Sequence, residues 1–182
     1  MSERATLAET GNGQAPTTPG WFVLNAKDAR WMRSEKFGMV CVFQGDYQFP
    51  EIGVNLRVLR PGEPNCFFHV ESVQEDFLVL SGECLLLVDE EQQRLKPFDY
   101  VHLPAGTPHV FVGASKAPCL VLMIGARGDD NTLLYPDSEF ARKFGAGVDQ
   151  ETSSPEEAYA SCPEWQPMSG SGAPLPEPPP GE

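Results

Sequence analysis

Three histidines, His69, His102 and His109, are the only imidazoles in 182 residues, and two of them belong to a pattern that includes carboxylates. His69 and Glu71 are two residues apart, so on an extended strand their side chains project from one face. After a short turn at 72–74, Glu75 opens the next strand-like run and faces the same pair, with Phe77 and Val79 following on that face. Further on, 34 residues after Glu75, the turn Pro104-Ala-Gly-Thr-Pro delivers His109 from another strand. Two imidazoles and two carboxylates converging inside a barrel suit a divalent first-row metal. Unpaired charges in an apolar interior are costly, which argues against the four as decoration of an empty core. His102 reads either as a core histidine or as a pocket-lining acid/base, and with Tyr100 it is a candidate proton carrier. Parity places Asp76 away from Glu75, on the outside. Cys66, three before His69, is expected on the opposite face as packing.

The elements that must position these groups are short and β-like. Between Trp21 and Arg127, runs of four to seven residues rich in Val, Leu, Phe and Cys are cut by turn signals such as Pro61-Gly62, Gly82 and Pro104-Ala-Gly106. That rhythm predicts an all-β antiparallel barrel or sandwich rather than βαβ units. One weak helical period at 25–36 competes. A later segment, Asp137 to Gly145, predicts a short helix capped at Asp137, with Phe140 and Phe144 four apart and a stop at Gly145. The runs Phe77–Leu80 and Cys84–Val88 are apolar on both faces, so either the helix and the N-terminal segment or a second subunit must cover their outer sides. A homodimer is the expectation.

Charge and composition limit the partners. The formal net charge is −13, and nothing in such a chain could neutralise a run of phosphates, so nucleic acid and anionic membrane surfaces are excluded as partners. The acidity is uneven. Residues 149–182 hold seven acids and no Lys or Arg, residues 1–20 give −1, and residues 21–148 give −5. The C-terminal stretch also has eight prolines. It reads as a solvated tail, with docking of its Pro-rich end as a lesser alternative, and Trp165 is the one residue there that would be odd if always exposed. Five cysteines, odd in number and without a C-x-x-C pair, support neither a disulfide framework nor a zinc knuckle. With no signal-peptide run and no long apolar span, the expectation is a soluble, cytoplasmic protein.

The spacing Gly62, six residues, His69-x-Glu71, three residues, Glu75, six residues, Gly82 resembles the first motif of the cupin superfamily. Phe98, five residues, Pro104-x-Gly106, two residues, His109, three residues, Gly113 resembles its second. Three positions depart from the family: Glu71 stands where a second His is usual, Phe98 where a Gly opens the second motif, and Gly113 where an Asn closes it. The resemblance covers roughly residues 50–125. It implies a cupin-type antiparallel double-stranded β-helix, a jelly-roll barrel, with a short C-terminal helix. The expected organisation is a disordered N-terminal tail (1–20), the barrel (21–127), a loop and short helix packed on it (128–148), and a disordered acidic Pro-rich tail (149–182). The resemblance carries over His69, Glu75 and His109 as metal ligands, with Glu71 a positional match of altered type. Iron(II) or manganese(II) is favoured, with zinc or nickel as alternatives. It implies a small-molecule enzyme, dioxygenase- or isomerase-type, acting on a ligand in the barrel. The alternative is a non-catalytic binding or sensor module, and a storage barrel is a weaker third class.

Overall fold

The computed structural model describes residues 3–114, 116–128 and 130–176. Its strands are β1 (Leu7–Glu9), β2 (Gln14–Pro16), β3 (Arg30–Arg33), β4 (Met39–Val42), β5 (Ile52–Leu59), β6 (Val70–Glu71), β7 (Glu75–Ser81), β8 (Cys84–Val88), β9 (Glu91–Leu95), β10 (Tyr100–Leu103), β11 (His109–Gly113), β12 (Cys119–Ala126), β13 (Leu133–Leu134) and β14 (Gln166–Met168). Two short helices, α1 (Glu139–Arg142) and α2 (Pro155–Tyr159), lie between β13 and β14. A large sheet runs β10-β7-β12-β5-β4-β3-β14, and a small one β11-β8-β9 faces it. All pairings between named strands are antiparallel. Among the described residues, no helix is long and apolar enough to cross a membrane.

Period-two alternation sorts each strand between two apolar layers. Odd-numbered residues of the large sheet, Leu59, Phe77, Val79, Val121 and Met123, meet Cys84, Leu86, Leu95 and Phe111 of the small sheet in one buried cluster. Even-numbered residues of β5 and β12, Leu56, Val58 and Leu120, pack outward against Trp31, Met39 and Cys41. Leu24, Ala26, Met168 and Leu175 pack on that outer layer. Leu87, Val110 and Val112 of the small sheet are covered by Phe68, Ala141 and Ala146, with Phe140 and Phe144 beside them. The apolar outer faces that suggested a second subunit are thus covered by the chain itself.

Both termini differ from the sequence expectation of disorder. In the N-terminal stretch, β1 pairs with β2, and Ala5 and Ala15 are buried. In the acidic stretch, α2 is capped by Ser154 and places Tyr159 against Phe37, Phe67 and Tyr135. Beyond it, β14 adds an edge strand to the large sheet through β3. A few apolar side chains in a polar, Pro-rich segment suffice because the sheet offers them a prepared surface. The last six residues of that tail, 177–182, lie outside the described residues. The weak helical period at 25–36 yields to a turn at 26–28 and to β3. The later helix forms, but its cap is Ser138, whose side chain accepts from the Ala141 N–H.

Candidate functional site

One open end of the space between the sheets is polar. His69 precedes β6 and His109 opens β11, and a single antiparallel bridge joins the two. Glu75 opens β7 two residues before Phe77, whose ring lies 5.4 Å from that of His109. Gly125 of β12 is the register partner of Glu75, so no side chain crowds the carboxylate from that strand. One ligand atom from each of His69, Glu75 and His109 lies within 4.8 Å of the others. Three of the four residues expected to bind metal therefore converge.

The hydrogen bonds fix which ring nitrogens face the site. His69 Nδ1 lies 2.9 Å from the Phe67 carbonyl, and His109 Nδ1 lies 3.0 Å from that of Thr107. A carbonyl only accepts, so each Nδ1 carries its proton and each Nε2 presents a lone pair. His109 Nε2 is sealed from solvent and has no hydrogen-bond partner. It sits 3.2 Å from a Glu75 oxygen that is also an acceptor. An orphaned acceptor facing a carboxylate is the arrangement a cation resolves, and outer hydrogen bonds of this kind are usual for metal-ligating histidines. Burial, reinforced by His109, lowers the His69 pKa to about 4, which keeps its ring neutral and able to ligate.

Glu71 stands beside the three rather than among them. Its Oε1 is 3.7 Å from His69 Nε2, and its Oε2 accepts from Asn131 Nδ2 at 3.3 Å. Burial first, and the neighbouring Glu75 second, raise its pKa above the usual carboxylate value. A second carboxylate therefore stands at the edge of the His69–Glu75–His109 group and borders the same cavity.

These groups line a cavity of about 310 Å³ that Arg57, Asn55, Cys66, Tyr135 and Tyr159 also border. It adjoins a second cavity of about 570 Å³, bordered by Met32, Phe37, Val40, Val42 and Trp165, with Arg57 and Asn55 common to both. Sequence reasoning missed Arg57 and Asn55, although their odd parity with Leu59 on β5 was the available signal. It also missed the two tyrosines, which only long-range packing brings in. Cys66 is a correction. Its Sγ lies 3.4 Å from His69 Nδ1, because residues 65–68 are irregular and strand parity does not apply to them.

His102 and Tyr100 are a second correction. Both lie on β10 and bind the Asp76 carboxylate on the outer face, His102 Nδ1 at 2.7 Å and the Tyr100 hydroxyl at 2.5 Å. His102 pairs in register with Asp76, so it shares the outward parity expected for that residue. Neither borders the cavity, and neither can carry a proton there.

A family model described as the cupin domain matches residues 55–125. A sugar phosphate isomerase from a cupin superfamily, from Silicibacter pomeroyi, is similar over 83% of this chain and 83% of its own, at 24% identity and a TM-score of 0.52. A polyketide cyclase from Streptomyces resistomycificus aligns over 58% of this chain and 79% of its own, at 16% identity and a TM-score of 0.51. At these identities the likeness is one of fold. No curated protein matches the chain.

Proposed function

The chain belongs to the cupin superfamily, and from that premise we propose that it is a small-molecule enzyme whose barrel holds a divalent first-row metal on His69, Glu75 and His109. The observation that carries this reading is the buried, unpartnered Nε2 of His109, aimed at the same point as His69 Nε2 and a Glu75 oxygen. Two neutral imidazoles and one carboxylate suit iron(II) or manganese(II), with zinc and nickel as alternatives. When bound, such an ion polarises a substrate oxygen and stabilises charge that develops on it.

Around that centre the chain's own groups favour proton transfer. Glu71 Oε1 is the acid/base atom, steadied through Oε2 by Asn131. Phe77 and Met123 wall the cavity on its inner side and limit water there. We therefore favour an isomerase-type reaction, in which Glu71 takes a proton from one substrate carbon and returns it to its neighbour while the hydroxyl proton passes to the former carbonyl oxygen. The printed description of the Silicibacter pomeroyi relative, a sugar phosphate isomerase, points the same way. The second reading is a dioxygenase, since two histidines and one carboxylate on one face also serve iron(II) oxygen chemistry. All five cysteines are free thiols, which supports a reducing, cytoplasmic setting.

The test is solvent deuterium exchange into a panel of hydroxy-aldehydes and hydroxy-ketones, with oxygen uptake followed in parallel. Exchange by the wild type that is lost in Glu71→Gln, with metal content unchanged, is the expected result. Oxygen uptake without exchange would select the dioxygenase, and ligand binding without turnover would select the non-catalytic module.

A further inference from the structure

Arg57 is the most unusual residue of the cavity wall. It sits in mid-strand on β5, between β12 and β4, where Val121 and Val40 are its register partners. The residue as a whole is half-buried, yet its Nε and Nη1 are both sealed from solvent and have no hydrogen-bond partner. Among the described residues, no carboxylate forms an ion pair with it. The Trp165 ring centroid lies 5.2 Å from the guanidinium carbon, and Cys66 and Tyr159 are the polar neighbours of that group. Next to it on the same face, Asn55 Oδ1 is likewise buried and unpartnered. A buried guanidinium without a counter-charge is expensive, and a fold retains it where something outside the chain completes it.

We infer that the substrate carries an oxyanion, a carboxylate or a phosphate, that docks on Arg57, and a hydroxyl that donates to Asn55. The inference deepens the proposed function and rests on it. The planar fork of arginine matches such an anion through two parallel hydrogen bonds. Charge balance agrees, because Glu71 and Glu75 offset a bound dication while Arg57 and Arg127, which also borders both cavities, leave the wall positive. Arg57 borders both cavities, so an anion held there reaches toward the His69–Glu75–His109 end with its reactive part. The remainder of the molecule extends along Met32, Val40 and Trp165 in the wider cavity. The acidic C-terminal segment thus reaches the site through Trp165, whose ring lies against the guanidinium.

Calorimetric titration with glycolate and with methyl phosphate, on metal-free and manganese-loaded protein, tests this for the wild type, Arg57→Met and Arg57→Lys. The wild type is expected to bind one of the two anions, the stronger identifying the class, with ethylene glycol failing to compete. Arg57→Met should lose at least about tenfold in affinity, and Arg57→Lys should recover part of it. Manganese uptake by Arg57→Met should equal that of the wild type, so a failed metal site and a failed anion site give different results. Removing an unpaired buried charge should also raise the Tm of the ligand-free protein, whereas a residue kept for packing would lower it. The inference is overturned if neither form of the wild type binds either anion at millimolar concentration. It is overturned equally if Arg57→Met binds the anion as the wild type does.

Discussion

His69 and His109 are each other's backbone partners: the His69 N–H donates to the His109 carbonyl at 3.1 Å, and the His109 N–H donates back at 2.9 Å. That reciprocal bridge sets the two rings with centroids 4.6 Å apart and tilted by 48°, with both histidines bordering the cavity. The site is therefore built by main-chain pairing between the segment before β6 and the start of β11. Side-chain substitutions can empty it without moving its frame.

His109→Gln and Glu75→Gln should purify with far less metal than the wild type while remaining folded. Loss of a direct ligand should exceed the roughly 10- to 100-fold that loss of an outer hydrogen-bond partner costs. Elemental analysis after reconstitution checks this. Chelation should lower the Tm of the wild type and leave both variants unmoved, since a ligand at 100 times its Kd adds about 2.7 kcal/mol of stability.

The Asp76 carboxylate accepts from Tyr100, Gln74 and His102, and these bonds lower its pKa to about 2. A depressed carboxylate stabilises the folded state above its unfolded pKa, near 3.8, and that contribution fades as pH falls toward 2. Because the group lies at the surface, solvent screening limits the contribution to about 1 kcal/mol or less. Asp76→Asn should be slightly less stable than the wild type in urea at pH 6, with the gap closing below pH 4. Tyr100→Phe and His102→Gln should leave metal content and turnover unchanged.

Phe98 has φ +74° and is 81% exposed, so its side chain packs little and its backbone adopts a glycine conformation. Gly82, which closes the first motif, has φ +68° and is irreplaceable for a further reason, since a Cβ there would lie 2.5 Å from the Pro118 carbonyl oxygen. Phe98→Gly should therefore stabilise the protein by about 1 kcal/mol. Gly82→Ala should destabilise it by more than that. Thermal unfolding of the two variants checks both signs.

Tyr159 fills the space between Phe37, Phe67 and Tyr135, and its hydroxyl accepts from the Phe67 N–H at 3.2 Å. Tyr159→Ala should cost about 2–3 kcal/mol. A chain ending at residue 148 should lose more, because it also removes the β14 pairing to β3. A disordered tail would make both changes silent, and denaturant melts separate the two outcomes.

The all-β class, the lumen-facing parity of Phe77 and Val79, and the convergence of His69, Glu75 and His109 were legible from strand spacing and the motif resemblance, whereas Glu71, expected as a fourth ligand, stands beside that group. A strand alternates its faces every two residues wherever it lies in a fold, so short-range pattern carries that information. What the spacing of Tyr100 and His102 could not convey was the register of β10 on β7, which turns both outward onto Asp76. Nor could parity reach Cys66, since residues 65–68 leave the extended conformation. The order of the acidic segment, and the contact of Trp165 with Arg57, depend on an apolar surface assembled from distant strands. Charge follows the same division. The sequence by itself determined how many acids the chain holds and which of them cluster with histidine. Tertiary structure alone decided that Arg57 would have its Nε and Nη1 sealed without a counter-charge, because desolvation is a property of the assembled wall and not of any neighbour in the chain.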